Sequence, residues 1–264
     1  MNRPWRLLPL LLALPLVGAA KAAPVRSAPS PEQATKAVTD AVCQWPLVGT
    51  VRFSVRSSAL TDAIADAEAA GATDPNALQG AAILKSLVID AEVDLPSGAV
   101  RVEVRAAEPI TDPTRAQGLT TVRNGTHEVL GGMMMTLSGH RQPYFGDSPV
   151  TATALTAQGH WSLALQGVDG ELVVDPATRL PTLARLRAGA TNLEQTMAPW
   201  EQDGGCAWLG GITLAEVGQP AAVSLTFTWA PLAGSRFPSG ISMATPAGQQ
   251  IVTFEALTFV PKSP

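Results

Sequence analysis

Histidine is the side chain best suited to acid–base and metal chemistry near neutral pH, and the chain has three: His127, His140 and His160. Their spacing matches neither the HExxH nor the HxH pattern that places two imidazoles on one metal ion. A histidine without such a partner is usually exposed or hydrogen-bonded within the fold. The sequence therefore assigns no catalytic residue, no metal ligand and no cofactor.

Other catalytic signatures are missing from the sequence. It has no GxSxG nucleophile elbow, no SxxK motif and no glycine-rich phosphate loop. Gly146-Asp147-Ser148 has the letters of a hydrolase block but lies mid-chain, so we interpret it as a turn. Met133-Met134-Met135 could supply soft thioether ligands, yet consecutive residues on a strand point to opposite faces, so core packing is favoured. A hydrolase whose carboxylates are distant in sequence stays open.

Cys43 and Cys206 are the only cysteines, and in an oxidising compartment such a pair usually forms a disulfide. A free thiol or a metal ligand is the alternative. Each cysteine stands two residues before a tryptophan, Trp45 and Trp208. Residues i and i+2 of an extended chain share a face, so the bridge and both indoles could form one plug. That plug would join the N-terminal segment to the C-terminal half.

The first 22 residues have the composition of a secretory signal peptide. A short basic region precedes an apolar run from Leu7 to Val17, and Ala20-Lys21-Ala22 is a small-x-small cleavage site. The run is too short for a transmembrane helix, and no later segment has that length. Removal of residues 1–22 leaves 15 basic and 22 acidic residues, a net charge of −7. These features predict a soluble periplasmic or secreted protein without a nucleic-acid partner.

Alternation of apolar and polar residues predicts most of the secondary structure. Ile89–Leu95 and Val100–Arg105 alternate on either side of a Pro-Ser-Gly turn, which indicates an antiparallel hairpin. Helices are predicted from Ser30 by a capping box, from Ser57 or Ser58 to Ala70, and, as a short helix boxed by Thr191 and Glu194, up to Pro199. Further strands are predicted in several segments, including Leu119–Val122 and Met133–Leu137.

The strand near the C-terminus supplies the predicted ligand-facing residues, which alternate with serine and threonine: Val223, Leu225, Phe227 and Trp229. The predicted fold class is mainly β, an antiparallel half-open barrel or sandwich with one to three short helices. The predicted organisation is a signal peptide (1–22), a flexible mature N-terminus (23–29) and a single antiparallel β domain (30–264).

Two regions resemble a known family. Gly170–Pro181 contains Asp175-Pro-Ala-Thr-Arg-Leu180, and the closing strands contain Arg236-Phe-Pro-Ser239. These are similar to the last strands of the LolA/LolB-like periplasmic lipoprotein carriers and their exported relatives, in which a D-x-x-[TR]-x-[LP] turn precedes strands with an F-P corner. The resemblance covers roughly a third of the mature chain. It implies a half-open antiparallel barrel, helices that cover an apolar concavity, and carriage of acyl chains, but assigns no functional residue.

Three functions remain from these observations. The first is a non-enzymatic exported bacterial envelope protein that binds or carries a lipid or acyl ligand in an apolar concavity. The second is a structural or envelope-assembly module acting through a protein partner, which an exposed apolar patch or an unpaired edge strand would favour. The third is a hydrolase with a non-local site, which a cluster of histidines and carboxylates in a cleft would favour.

Overall fold

The computed structural model describes residues 27–45, 48–141, 144–146, 148–188 and 191–262. The predicted signal peptide and residues 23–26 of the predicted N-terminal tail lie outside them. The helices are α1 (Pro31–Ala41), α2 (Ser58–Ala70), α3 (Pro75–Lys85) and α4 (Pro113–Thr136), and a short 3-10 helix, Leu137–His140, follows α4. No helix in the described ranges is long and apolar enough to cross a membrane.

Fourteen strands occur in the described residues, and twelve of them form one antiparallel sheet. Their bounds are β1 Gly49–Ser57, β2 Val88–Asp94, β3 Val100–Arg105, β4 Val150–Leu155, β5 Trp161–Leu165, β6 Gly170–Val174, β7 Pro181–Ala188, β8 Thr191–Met197, β9 Trp200–Asp203, β10 Cys206–Leu209, β11 Gly211–Glu216, β12 Val223–Leu232, β13 Ser235–Thr245 and β14 Gly248–Pro261. The order in the sheet is β3-β2-β1-β14-β13-β12-β11-β8-β7-β6-β5-β4, and β9 and β10 pair separately. The large sheet has two edges, β3 and β4, so it is not closed, and the predicted fold class is confirmed.

The predicted hairpin is present as β2 and β3. Ile89, Ala91 and Val93 are buried, while the charged residues lie on the other face. Glu92 stands opposite Arg101 as an oppositely charged pair, and the side chain of Arg105 bonds to Asp90. The dry face of this hairpin continues the apolar face of β1 and forms part of the core.

Helix α1 begins where the capping box predicts. The Ser30 hydroxyl accepts a hydrogen bond from the Gln33 amide at 3.2 Å, and the Gln33 side chain accepts one from the Ser30 amide at 3.0 Å. Ala34 and Val38 are fully buried and pack with residues of β4 to β7. Helix α1 thereby covers one end of the sheet.

Three segment predictions are wrong. The predicted strands Leu119–Val122 and Met133–Leu137 lie in α4 or at its end. The helix predicted between Thr191 and Pro199 is instead the strand β8. Asp112 caps α4 by accepting a hydrogen bond from the Arg115 amide at 2.9 Å. The helix is 24 residues long, so it is not one of the short helices that the sequence predicts.

Two hydrophobic clusters fill the fold. The larger lies between the sheet and α4, where Phe53 packs on Phe254 and Phe237 with ring centroids 4.7 and 5.8 Å apart. The smaller lies between α1 and strands β4 to β7. We call the sheet face that carries these buried side chains the inner face.

Helix α4 contains glycines that no contact requires. At Gly118, which is exposed, an added Cβ meets no atom within 4 Å. We expect Gly118→Ala to raise the free energy of unfolding by about 0.5–1 kcal/mol, because alanine loses less conformational freedom in a helix. Urea unfolding measures this change. Gly98→Ala should lower the free energy of unfolding, since Gly98 has φ 69° and an added Cβ would lie 2.6 Å from Arg141 Nη1. A lower free energy of unfolding in Gly118→Ala would contradict the expectation.

Candidate functional site

A cavity of about 530 Å³ lies between the inner face of strands β5 to β8 and β11 and the segment that follows α4. We call it the first cavity. Its strand side is formed by Leu165, Leu172, Leu186, Met197, Ile212 and Leu214. Its opposite side is formed by Met135, Ser138, His140, Tyr144, Phe145 and Ser148. No described residue of its lining carries an Asp, Glu, Lys or Arg side chain.

Cross-strand register explains why the strand side is apolar. Leu172 is opposite Ala184, Ala184 is opposite Gln195, and Gln195 is opposite Leu214. Directly opposite residues of antiparallel strands point to the same face, so these side chains form one row across four strands. The row holds one polar side chain, Gln195, among apolar ones. The cavity wall is therefore fixed by the pairing of the sheet.

His140 lies at the edge of this cavity, and only 2% of its surface is exposed. Its Nδ1 lies 2.6 Å from the carbonyl oxygen of Cys43, and its Nε2 accepts the Leu209 amide at 3.2 Å. This pattern requires a neutral ring with the proton on Nδ1, which donates to Cys43. Burial lowers the pKa of His140 to about 4, and the hydrogen bond to Cys43 opposes that shift.

Four tryptophans surround His140. The ring centroids of Trp208, Trp229, Trp45 and Trp200 lie 5.0, 5.3, 5.9 and 6.3 Å from the imidazole. Every one of their indole N–H groups donates a hydrogen bond: Trp45 to the carbonyl of Arg236, Trp208 to Asp203, Trp229 to the carbonyl of Leu209, and Trp200 to the carbonyl of Pro181. We call His140 and these four residues the tryptophan cage. Of these five residues, His140 and Trp200 line the first cavity, and the other three pack behind them.

The predicted disulfide is present beside the cage. Cys43 and Cys206 are bonded, with their Cα atoms 4.9 Å apart. The Cys43 amide also donates to the carbonyl of Ala207 at 3.0 Å. The bridge joins the residues after α1 to the β9–β10 hairpin. The predicted neighbours Trp45 and Trp208 are both buried, and both pack on His140.

The predicted ligand-facing residues lie on β12. Phe227 is buried in the core, and Leu225 and Trp229 are partly buried against it. None of the four, Val223 included, is among the lining residues of the first cavity. Val223 is opposite Leu214 and Leu225 is opposite Ile212, so both continue the inner face beyond the cavity wall. Their contact with a ligand stays a prediction.

The structure does not bring the three histidines together. His127 is exposed on α4 and His160 is partly exposed before β5, while His140 is buried in the cage. Within the described ranges, no group of three His, Cys, Asp or Glu side chains could hold a metal ion. Ser138 and Ser148 line the cavity, but both ring nitrogens of His140 are bonded to the backbone. His140 is therefore not placed as a base for either hydroxyl. Asp147 lies outside the described residues.

The sequence predicted the bridge with Trp45 and Trp208 beside it, but not the other three members of the cage or the position of the cavity. No local motif marks His140, because its partners Cys43 and Leu209 are 97 and 69 residues away in the chain. A signal for the adjoining helix does exist: Leu130, Met133, Met134 and Leu137 are all buried and follow the i, i+3, i+4, i+7 spacing of a helix face.

Comparisons with known proteins give two solved structures. The crystal structure of a LolA superfamily protein from Nitrosomonas europaea is similar over 89% of this chain and 96% of that chain, with a TM-score of 0.31 and 8% identity. That of a DUF1329 family protein from Desulfovibrio piger is similar over 88% and 94%, with a TM-score of 0.29 and 7% identity. No family model and no curated protein matches the chain.

Proposed function

We propose that this protein is an exported, non-catalytic protein that binds or carries a hydrophobic ligand and holds an acyl chain of that ligand in the first cavity. The observation that carries the proposal is the wall of the cavity, which is mainly apolar and, in its described lining, free of Asp, Glu, Lys and Arg side chains. Its volume of about 530 Å³ falls within the roughly 300–1,000 Å³ of small-molecule sites.

Energetics favour an aliphatic occupant. Each methylene group transferred from water to an apolar wall contributes about 0.8 kcal/mol, so ten buried methylenes contribute roughly 8 kcal/mol before the cost of ordering the ligand. A charged group in the same place would lose its hydration without gaining an ion-pair partner among the described lining residues. The charged or polar part of the ligand is therefore expected at the mouth or outside.

The two alternatives have less support. A hydrolase would need an acid–base pair in the cleft, and His140, the histidine among the described lining residues, is neutral and has both ring nitrogens bonded to the backbone. An assembly module would use an unpaired edge strand or an exposed apolar patch. The edge strand β3 presents Arg101, Glu103 and Arg105 to solvent, which discourages strand addition.

The disulfide supports export. Structural disulfides persist in oxidising compartments and are rare in the cytosol, and Cys43–Cys206 is compatible with a periplasmic or secreted protein.

A larger side chain in the wall tests the proposal. We expect Leu214→Trp to weaken binding of radiolabelled palmitic acid to the delipidated protein at least tenfold, because the indole would occupy the space of the chain. Equilibrium dialysis measures the binding. Gln195→Trp, at the neighbouring position of the same row, should have a similar effect.

Leu155→Trp is the matched control, since it makes the same exchange at an exposed edge position outside the cavity. It should leave the affinity unchanged. Circular dichroism shows that each variant is folded before binding is compared. Failure of the unsubstituted protein to bind palmitic acid, or equal binding by folded Leu214→Trp and Gln195→Trp variants, would contradict the proposal.

A further inference from the structure

A second apolar cavity lies under α4, about 330 Å³ in volume. It is bordered by α2, α3, α4 and the inner face of β1, β2 and β14, and it is open on one side. Its wall includes Leu60 from α2, Val122 and Val129 from α4, and Val55, Ile89 and Val252 from the strands. No described residue of its lining is ionisable, and most are apolar, so this wall, like that of the first cavity, disfavours a charged group and suits an aliphatic one.

Strand pairing places the two cavities on the same face of the sheet. Ile212, which lines the first cavity, is opposite Leu225; Leu225 is opposite Met243; and Met243 is opposite Gln250, which lines the second cavity. All four side chains therefore point to the inner face. Three strand spacings separate Ile212 from Gln250, a distance of about 14 Å.

Helix α4 borders both cavities. Leu130 lines the second cavity and Met135 lines the first. They are five positions apart in the chain, which is about 8 Å along a helix axis. Leu225 and Met243, which lie between the cavities on the sheet side, are partly buried and apolar. The surface between the two cavities is thus apolar as well.

We propose that the second cavity holds a second aliphatic chain of the same ligand, so that the ligand is a two-chain lipid with its head group outside both cavities. This inference rests on the proposed function. Two uncharged apolar walls within about 14 Å of each other suit two chains joined at one head group. Once one chain is bound, entry of the other is intramolecular, which raises the affinity without any new contact.

Lipids with the same head group and one or two chains test this inference. The probes are dipalmitoyl phosphatidylethanolamine and palmitoyl lysophosphatidylethanolamine, added to the delipidated protein below their aggregation concentrations. Native mass spectrometry should show one two-chain lipid per protein and up to two lysolipids. The two-chain lipid should bind at least tenfold more tightly than the lysolipid.

Thr126→Trp separates the cavities, because Thr126 lines the second cavity and is absent from the lining of the first. This variant should bind the two-chain lipid at least tenfold more weakly and should take up only one lysolipid. Thr120→Trp is the matched control: the same exchange at an exposed position of α4 that lines neither cavity. It should behave like the unsubstituted protein. Val122→Trp is a second variant of the same cavity if Thr126→Trp does not fold.

The outcomes distinguish this inference from the proposed function. Full affinity of folded Thr126→Trp and Val122→Trp variants for the two-chain lipid, combined with loss in Leu214→Trp, would overturn the second site and leave the first. Binding of two molecules of the two-chain lipid per protein would also overturn it. Failure of the unsubstituted protein to bind either probe or palmitic acid would instead remove the proposed function.

Discussion

Between pH 6.5 and pH 4 the protein should lose about 3 kcal/mol of its free energy of unfolding, because the tryptophan cage requires a neutral His140. The pKa of this residue falls from 6.5 to about 4 on folding. One pKa unit corresponds to about 1.36 kcal/mol, so the shift gives the expected size of the loss. Urea unfolding monitored by tryptophan fluorescence across this range measures it.

The sign follows from which state binds the proton. Below pH 6.5 the unfolded chain protonates this histidine while the folded protein keeps it neutral. The unfolded state therefore binds more protons, and stability falls as the pH falls. The stabilisation is complete above pH 6.5 and is lost as the pH reaches about 4. Asp94 and Glu171, whose pKa values are lowered by hydrogen bonds from Lys262 and Ser162, add their own loss only below their ordinary values of 3.8 and 4.5.

His140→Phe removes the titration and keeps an aromatic ring. At pH 7 we expect this variant to be less stable by about 2–6 kcal/mol, since the Cys43 carbonyl and the Leu209 amide lose their partners, each at about 1–3 kcal/mol. Between pH 6.5 and pH 4.5 its stability should be nearly constant. His160→Gln, a change at a partly exposed histidine, should retain the full pH dependence. The same slope in His140→Phe as in the unsubstituted protein would show that another group is responsible.

Local pattern predicted the parts of this fold that local chemistry decides. The alternation of Ile89–Leu95 and Val100–Arg105 became the β2–β3 hairpin, and Ser30 with Gln33 became the cap of α1. In each case the signal and the structure lie within a few residues of each other. Helix α4 was not predicted, because its glycines and threonines have weak helix propensity and its buried residues are confined to its C-terminal end.

The candidate site could not be predicted in the same way. The wall row of Leu172, Ala184, Gln195 and Leu214 exists because four strands pair in one particular register. A shift of one residue in any strand would turn that strand's side chains to the other face. Likewise, the cage depends on contacts between segments 69 and 97 residues apart. The cavity is a property of long-range pairing, which the alternation within one strand does not specify.

The disulfide joins the residues after α1 to the β9–β10 hairpin. Its removal should lower the free energy of unfolding by an amount similar to that of the protonation of His140. We expect Cys43→Ser with Cys206→Ser to lower the free energy of unfolding by about 2–5 kcal/mol. The bridge closes a loop with a sequence separation of 163, and loss of such a cross-link increases the freedom of the unfolded chain. Urea unfolding of the variant and of the oxidised protein at pH 7 measures the difference.

Two controls separate the cross-link from the side chains. Cys43→Ala with Cys206→Ala avoids burying hydroxyl groups and should give nearly the same loss, because the loop is opened equally. The unsubstituted protein in excess dithiothreitol should approach the stability of both variants. Equal stability of the oxidised and reduced proteins would show that the cage and the strand pairing hold the β9–β10 hairpin without the bridge.

Opening the bridge should also affect the proposed ligand. Val42 and Leu209 line the first cavity, and each lies beside an element that the bridge fastens: Val42 precedes Cys43, and Leu209 ends the β9–β10 hairpin. Greater freedom of these segments loosens one end of the wall, and a loosened wall loses affinity because ligand binding must then order it. We therefore expect the alanine pair to bind palmitic acid several-fold more weakly even under conditions in which it is fully folded. Unchanged affinity would show that the chain is held by the strand row alone.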